Sequence, residues 1–287
     1  MRYSFSGHES FHCKSLWLKK GFDFLAGEGQ FSDTNAVVEL GVGKNMVASI
    51  RFWLKAFNLS INDSITDIAR YLFNNENGAD PFCEDLMTLW ILHFNIVSSK
   101  LASLYHLTFI EFQRERKEFD KEQLLTFIKR KCSVPEQKNV YNENTVKKDI
   151  SVLLQTYLAP KDLKQIERFT SILINLNLLK EVENEKFRFN ETAADNLPKE
   201  ALMYALLKIK ENDTVISFDK IQYLALLFCM PIATMLNHII DLEKSYPNII
   251  EYTDNSGIRN IHFKEEVDSL SILNAYYFES NEIHTIN

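Results

Sequence analysis

The sequence predicts a mainly α fold of consecutive helix-turn-helix or winged-helix units carrying small β-hairpin wings. Three observations point there. Only 8 glycines and 6 prolines occur in 287 residues, while 46% of the chain is hydrophobic, a balance that favours helices joined by short turns over a large sheet. Apolar residues recur at helical spacing in several windows. Two groups of helices are followed by short alternating segments around polar turns, as a hairpin requires.

The elements follow in order. Residues 15–25 read as a helix, and Asp33 or Thr34 is placed to cap a short one ending at Leu40. Gly41-Val42-Gly43 is a tight turn. In the helix that follows, Lys44 to Phe57, the residues Val47, Ile50, Leu54 and Phe57 share one face. Residues 121–131 and 145–158 are helical, the second with Val146, Ile150, Leu153, Leu154 and Tyr157 on one side. A further helix is expected over 163–176, then a hairpin from 179–182 and 186–189. The order repeats with helices at 218–230 and from Pro231 to Tyr246, the proline opening the second. Strands at 249–253 and 258–263 flank Asp254-Asn255-Ser256-Gly257. These runs suggest three domains: 1–119, 120–195 and 196–287.

A net charge of −7 does not advertise a nucleic-acid binder, but the charge is unevenly spread. Residues 1–60 hold 7 Lys/Arg against 5 Asp/Glu, and 121–195 hold 13 against 11. Residues 61–120 hold 5 against 10, and 196–287 hold 7 against 13. Phosphate binding depends on local charge, so the first and third blocks should face DNA. The third winged unit is acidic and is expected to serve oligomerisation, as in a homodimer, or partner binding.

The four cysteines (13, 83, 132 and 229) show no metal-ligand spacing, which fits a reduced cytoplasmic protein. No signal peptide is expected at the start of the chain. The apolar run at 223–236 is too short for a membrane span and is broken by Pro231.

The strongest functional pattern lies at residues 31–58. Ala36, Leu40, Val42, Val47 and Ile50 occupy the positions a helix-turn-helix buries, with Gly41 where the turn demands positive φ. The opposite face offers Lys44, Asn45, Ser49, Arg51 and Lys55 to phosphates and base edges of double-stranded DNA. Lys147 and Lys148 on a second helix, with Lys186 and Arg188 on a wing, form another phosphate-binding set. No P-loop, HExxH or GxSxG motif occurs. Two polar clusters remain: Ser6-Gly7-His8-Glu9 with His12, near Lys19 and Lys20, which are further candidates for DNA contact, and Asp80, Glu84 and Asp85 followed by His93. Histidine with carboxylates suits Mg²⁺ or Mn²⁺ and water activation at a phosphodiester, with His8, Glu9 and Asp80 as catalytic candidates. Helix capping and mutual hydrogen bonding are the commoner use of such groups.

Three stretches carry a resemblance: Ser6-Gly7-His8-Glu9-Ser10-Phe11-His12 with Trp17 to Gly21, Val38 to Val47 with Ser49 to Leu54, and Gly78 to Phe82 with Thr88 to His93. They resemble a bacterial family catalogued as domain of unknown function 4007. The resemblance implies a place beside cysteine desulfurases and sulfurtransferase-like ATPases in single-stranded DNA phosphorothioation (Ssp) defence. It further implies a component that nicks DNA so that sulfur can be inserted. Where the resemblance leads one to expect arginine after the first motif, this chain has Cys13-Lys14. The residues alone leave open a transcriptional regulator or a protein-binding adaptor without catalysis.

Overall fold

The computed structural model describes residues 2–160, 171–183 and 185–279, and in it the chain is mostly helical with small antiparallel sheets. It divides into two compact units, residues 1–190 and 191–287.

The first unit opens with a strap that has no regular secondary structure, residues 2–13, and then α1 (Trp17–Ala26). Next come α2 (Ala36–Leu40) and α3 (Lys44–Ala56), joined by Gly41-Val42-Gly43. Gly41 has φ +60° and ends α2 in the left-handed conformation, with its N–H returning to Val38 O at 3.1 Å. Ala36, Leu40, Val47 and Ile50 are buried as the spacing predicts, while Val42 is half-buried. Neither Asp33 nor Thr34 caps α2. Asn35 takes that position without a side-chain hydrogen bond.

A two-residue hairpin follows, β1 (Ser60–Ile61) and β2 (Ser64–Ile65), then α4 (Asp67–Phe73) and α5 (Leu86–Ser99). Residues 87–97 of α5 are all buried, so this helix is the centre of the unit. Its apolar residues surround it on every side, as expected of a helix with no solvent face. Asp85 caps it, accepting from Met87 N–H at 2.7 Å. α6 (Ser103–His106) runs on through a π-helical stretch, Leu107–Phe112, into α7 (Gln113–Glu115).

Strand β3 (Glu118–Phe119) precedes α8 (Lys121–Lys131), which begins with a capping box between Asp120 and Gln123. α9 (Glu143–Tyr157) buries Val146, Ile150, Leu153, Leu154 and Tyr157. The hairpin β4 (Leu179–Glu183) and β5 (Lys186–Phe189) then completes a sheet of order β3-β5-β4. Most of the helix expected at 163–176 lies outside the described residues, and its last part, Ile174–Leu176, is a 3-10 turn.

The second unit has α10 (Lys199–Lys210), β6 (Val215–Ser217), α11 (Phe218–Leu227) and α12 (Ile232–Ser245). β7 (Ile250–Asn255), β8 (Ile258–Phe263) and α13 (Ser269–Asn274) follow, with sheet order β6-β8-β7. Pro231 is the N-cap of α12, one place before the first helical residue. The strands reach closer to the tip than the sequence suggests, leaving Ser256-Gly257, both at positive φ, as the turn. The apolar run at 223–236 is two helices bent by 107°, and among the described residues no single helix is long and apolar enough to cross a membrane. All four cysteines are buried, and none is in a disulfide.

Alanine at Gly41 would meet no neighbouring atom, so its cost is conformational alone. Gly41→Ala should destabilise the first unit by about 1 kcal/mol, and Gly41→Asn by less. Urea denaturation measures both, and equal stability of the alanine variant would contradict the left-handed assignment.

Candidate nucleic-acid interface

The candidate site is the outward face of α3 and the strap that lies against its other side. Trp53, Leu54 and Ile50 are fully buried, which fixes the rotation of the helix. Lys44 and Asn45 are exposed in its first turn, and no acidic residue stands there. Arg51 and Lys55 lie further along the helix. Lys44, Arg51 and Lys55 line a groove of about 680 Å³ with Phe31, Val37, Val47 and Phe52.

The hairpin β1–β2 brings Asp63 to this face. Arg51 Nε lies 3.0 Å from Asp63 Oδ1, and its Nη2 bonds Oδ2, a two-pronged ion pair. Lys55 Nζ is 3.1 Å from Oδ1 of the same carboxylate. The hydrogen bond from Arg51 holds the Asp63 carboxyl below the usual range against the opposing effect of burial, and Lys55 adds to the lowering. The same bond raises Arg51.

On the other side, His8 is buried between Trp53 and Asp149. Its ring stacks on Trp53 at 5.6 Å and 12°. Ser10 N–H donates to His8 Nδ1 at 3.2 Å. An accepting nitrogen carries no proton, so the proton sits on Nε2, 3.1 Å from Asp149 Oδ1. Asp149 Oδ2 also accepts from Ser6 N–H at 2.8 Å. Ser6, Gly7, Glu9 and Ser10 all have positive φ. A Cβ on Gly7 would stand 2.6 Å from the Phe52 ring, so only glycine lets the loop lie on α3 there.

The other expected site residues have definite places. Ser49 does not join the outward face. It is fully buried and donates to His8 O at 3.1 Å, because the strap covers that part of α3. Lys19 is buried and bonds Asp23 and Asn75, and Lys20 Nζ donates to Leu40 O at 2.9 Å, satisfying the end of α2. Lys147 pairs with Glu143 at 2.8 Å, and Lys186 lies 3.7 Å from Glu183. Lys148 and Arg188 are exposed on α9 and β5, outside the α3 groove.

His8 and Asp80 each have structural partners, while Glu9 is exposed. The two Asp80 oxygens accept from Glu84 N–H and Asp85 N–H, both at 3.0 Å. Among the described residues no three His, Cys, Asp or Glu side chains are grouped to hold a metal ion, so those present do not form a chelating set. Sequence reasoning missed Asp63 and Asp149. The Asn62-Asp63 pair between Ile61 and Ser64 was a usable hairpin signal, whereas nothing local to Asp149 announces its bonds to the strap.

Fold and site together define a mostly helical protein of two compact units, the first displaying a cation-lined groove on one helix. Two solved structures share this fold: a magnesium ion-bound SspB crystal structure, with a TM-score of 0.82, and an SspB crystal structure, with a TM-score of 0.80. Each is 24% identical and aligns over 96% of this chain and 88% of the other. No curated protein sequence matches the chain. The chain belongs to the DUF4007 family, described as a protein of unknown function, whose model matches residues 5–277.

Asp149→Ala should cost about 2 kcal/mol in urea denaturation, since it leaves the buried His8 Nε2–H without its acceptor and removes the partner of Ser6 N–H. For Asp63, a lowered folded pKa means that the ion pair adds stability above the unfolded Asp value of about 3.9 and loses it as pH falls through the lower folded value. The melting-temperature advantage of wild type over Asp63→Asn should thus be present near neutrality and vanish in strong acid. The corresponding stability difference should stay within about 1 kcal/mol, because the pair is partly exposed.

Proposed function

We propose that this protein is a DNA-docking component of Ssp-type phosphorothioation defence and that α2 and α3 form its helix-turn-helix. The observation that carries the reading is the convergence of Lys44, Arg51 and Lys55 on one exposed groove of α3, directly after the left-handed Gly41 turn. Cations at helical spacing meet phosphates, and Asn45 beside them suits adenine in the major groove. In both three-stranded sheets the first strand in the chain pairs with the last, an order that supports a winged-helix reading. In the first unit this module carries Lys147, Lys148, Lys186 and Arg188 as a second set of phosphate-binding groups. The second unit, with 7 Lys/Arg against 15 Asp/Glu, is read as the surface for a second copy or for the cysteine desulfurase and sulfurtransferase-like ATPase of the pathway. Membership of DUF4007 and the likeness to SspB support the pathway assignment.

Substituting Lys44 and Arg51 together by alanine should weaken binding to a short duplex and reduce the slope of log K against log salt by about 0.9 for each phosphate that is no longer neutralised. Fluorescence anisotropy across a KCl series reads both quantities. Unchanged affinity and slope would sink the docking assignment.

A second reading, that the protein nicks one strand with Mg²⁺ or Mn²⁺, is favoured by the likeness to a magnesium ion-bound SspB. Pure protein incubated with supercoiled plasmid and either metal should then yield relaxed circles, with His8, Glu9 and Asp80 as the first positions to substitute. Plasmid left supercoiled with both metals overturns this reading and favours a regulator or adaptor.

A further inference from the structure

The cations of α3 are not simply displayed to solvent. Arg51 grips both oxygens of Asp63, and Lys55 joins the same carboxylate. A guanidinium fork fits a carboxylate and a phosphate in the same planar, two-bond geometry. Asp63 thus occupies the position a phosphate group would take on this pair.

The carboxylate is placed there by the backbone. Ile61 pairs with Ser64, so Asn62 and Asp63 form a two-residue turn, with φ of 51° and 63°. That is the type I′ pattern, in which both central residues are left-handed. The hairpin base is tied by Thr66 N–H to Leu59 O at 3.1 Å and by Thr66 Oγ1 to Asn58 O at 3.0 Å. The arrangement is also reachable from solvent: the Arg51, Asp63 and Lys55 side chains keep 41%, 28% and 29% of their exposure. The two cations open onto the groove that Lys44 lines as well.

The geometry points to a DNA phosphodiester site formed by Arg51 and Lys55, with Asp63 as a tethered competitor for the same two cations. The proposal rests on the reading of α3 as the docking helix. A duplex phosphate entering the site displaces the carboxylate, so each docking event exchanges one ion pair for another. Asp63 thereby lowers affinity for DNA.

Asp63→Asn tests this, because asparagine is at ease in a left-handed turn and keeps the side-chain shape while removing the charge and one of the two acceptor oxygens. The full-length variant should bind a short duplex roughly tenfold more tightly at moderate salt, with a log–log salt slope steeper by up to about 0.9, for the one phosphate the two cations meet. Adding Arg51→Ala should abolish most of the gain. If Asp63→Asn leaves affinity and slope unchanged while Lys44→Ala still weakens binding, the competitor role fails and the docking helix stands. If neither wild type nor Asp63→Asn binds duplex at low salt, both fail. A gain that survives Arg51→Ala is a general charge effect and also overturns the proposal. In the unmodified protein, the Arg51 Nε–H resonance should move as duplex is added. A stationary resonance while the complex forms contradicts the site without reliance on any variant. Inorganic phosphate moving that resonance as far as duplex does, with no affinity gain in Asp63→Asn, would assign the site to free phosphate instead.

Discussion

The first unit depends on satisfying one buried carboxylate. Asp149 sits on α9 with its side chain almost fully removed from water, a costly state for an ionised group without partners. Its compensation comes from the strap, through Ser6 N–H and His8 Nε2–H. Once those bonds form, the His8 ring is held flat on Trp53, the His8 carbonyl meets the Ser49 hydroxyl, and Trp53 Nε1 reaches Phe11 O at 3.1 Å. Gly7 then lies on the Phe52 ring, which also forms part of the groove wall. A single electrostatic requirement thus joins the N-terminal segment, α3 and α9, and it fixes which side of α3 is left for solvent.

How much of this was legible in the sequence depended on how local each cause was. α3, α8 and α9 have one apolar face each, and their periodicity announces them. The hairpins at β4–β5 and β7–β8 were equally readable from alternation and turn residues. α5 was not, because a helix apolar all round has no period to detect. β3 and β6 are too short to leave a pattern of their own, and their strand character comes from pairing with β5 and β8.

The interface divides the same way. Lys44, Asn45, Arg51 and Lys55 could be placed on an outer face by counting from Val47 and Ile50. Ser49 could not, since it is covered by a segment some forty positions away in the chain. Lys19 was also drawn inward by Asp23 and Asn75. The acid that governs Arg51 and Lys55 escaped notice because its effect requires the β1–β2 hairpin to fold back on α3. Composition misled in the opposite direction. The net charge of −7 comes from the second unit, while residues 1–190, with 25 Lys/Arg and 24 Asp/Glu, are nearly neutral.

The buried cysteines bear on the pathway proposed for this protein. Sulfur moves between proteins as a persulfide carried on a reactive thiolate, and such a thiolate has to be both accessible and easily ionised. Cys13, Cys83, Cys132 and Cys229 are all buried, and burial pushes the first three thiols upward. A chain built this way is poorly suited to take part in a sulfur relay. Under the pathway assignment proposed above, the sulfur atom would be carried by other proteins, with this chain acting at the DNA.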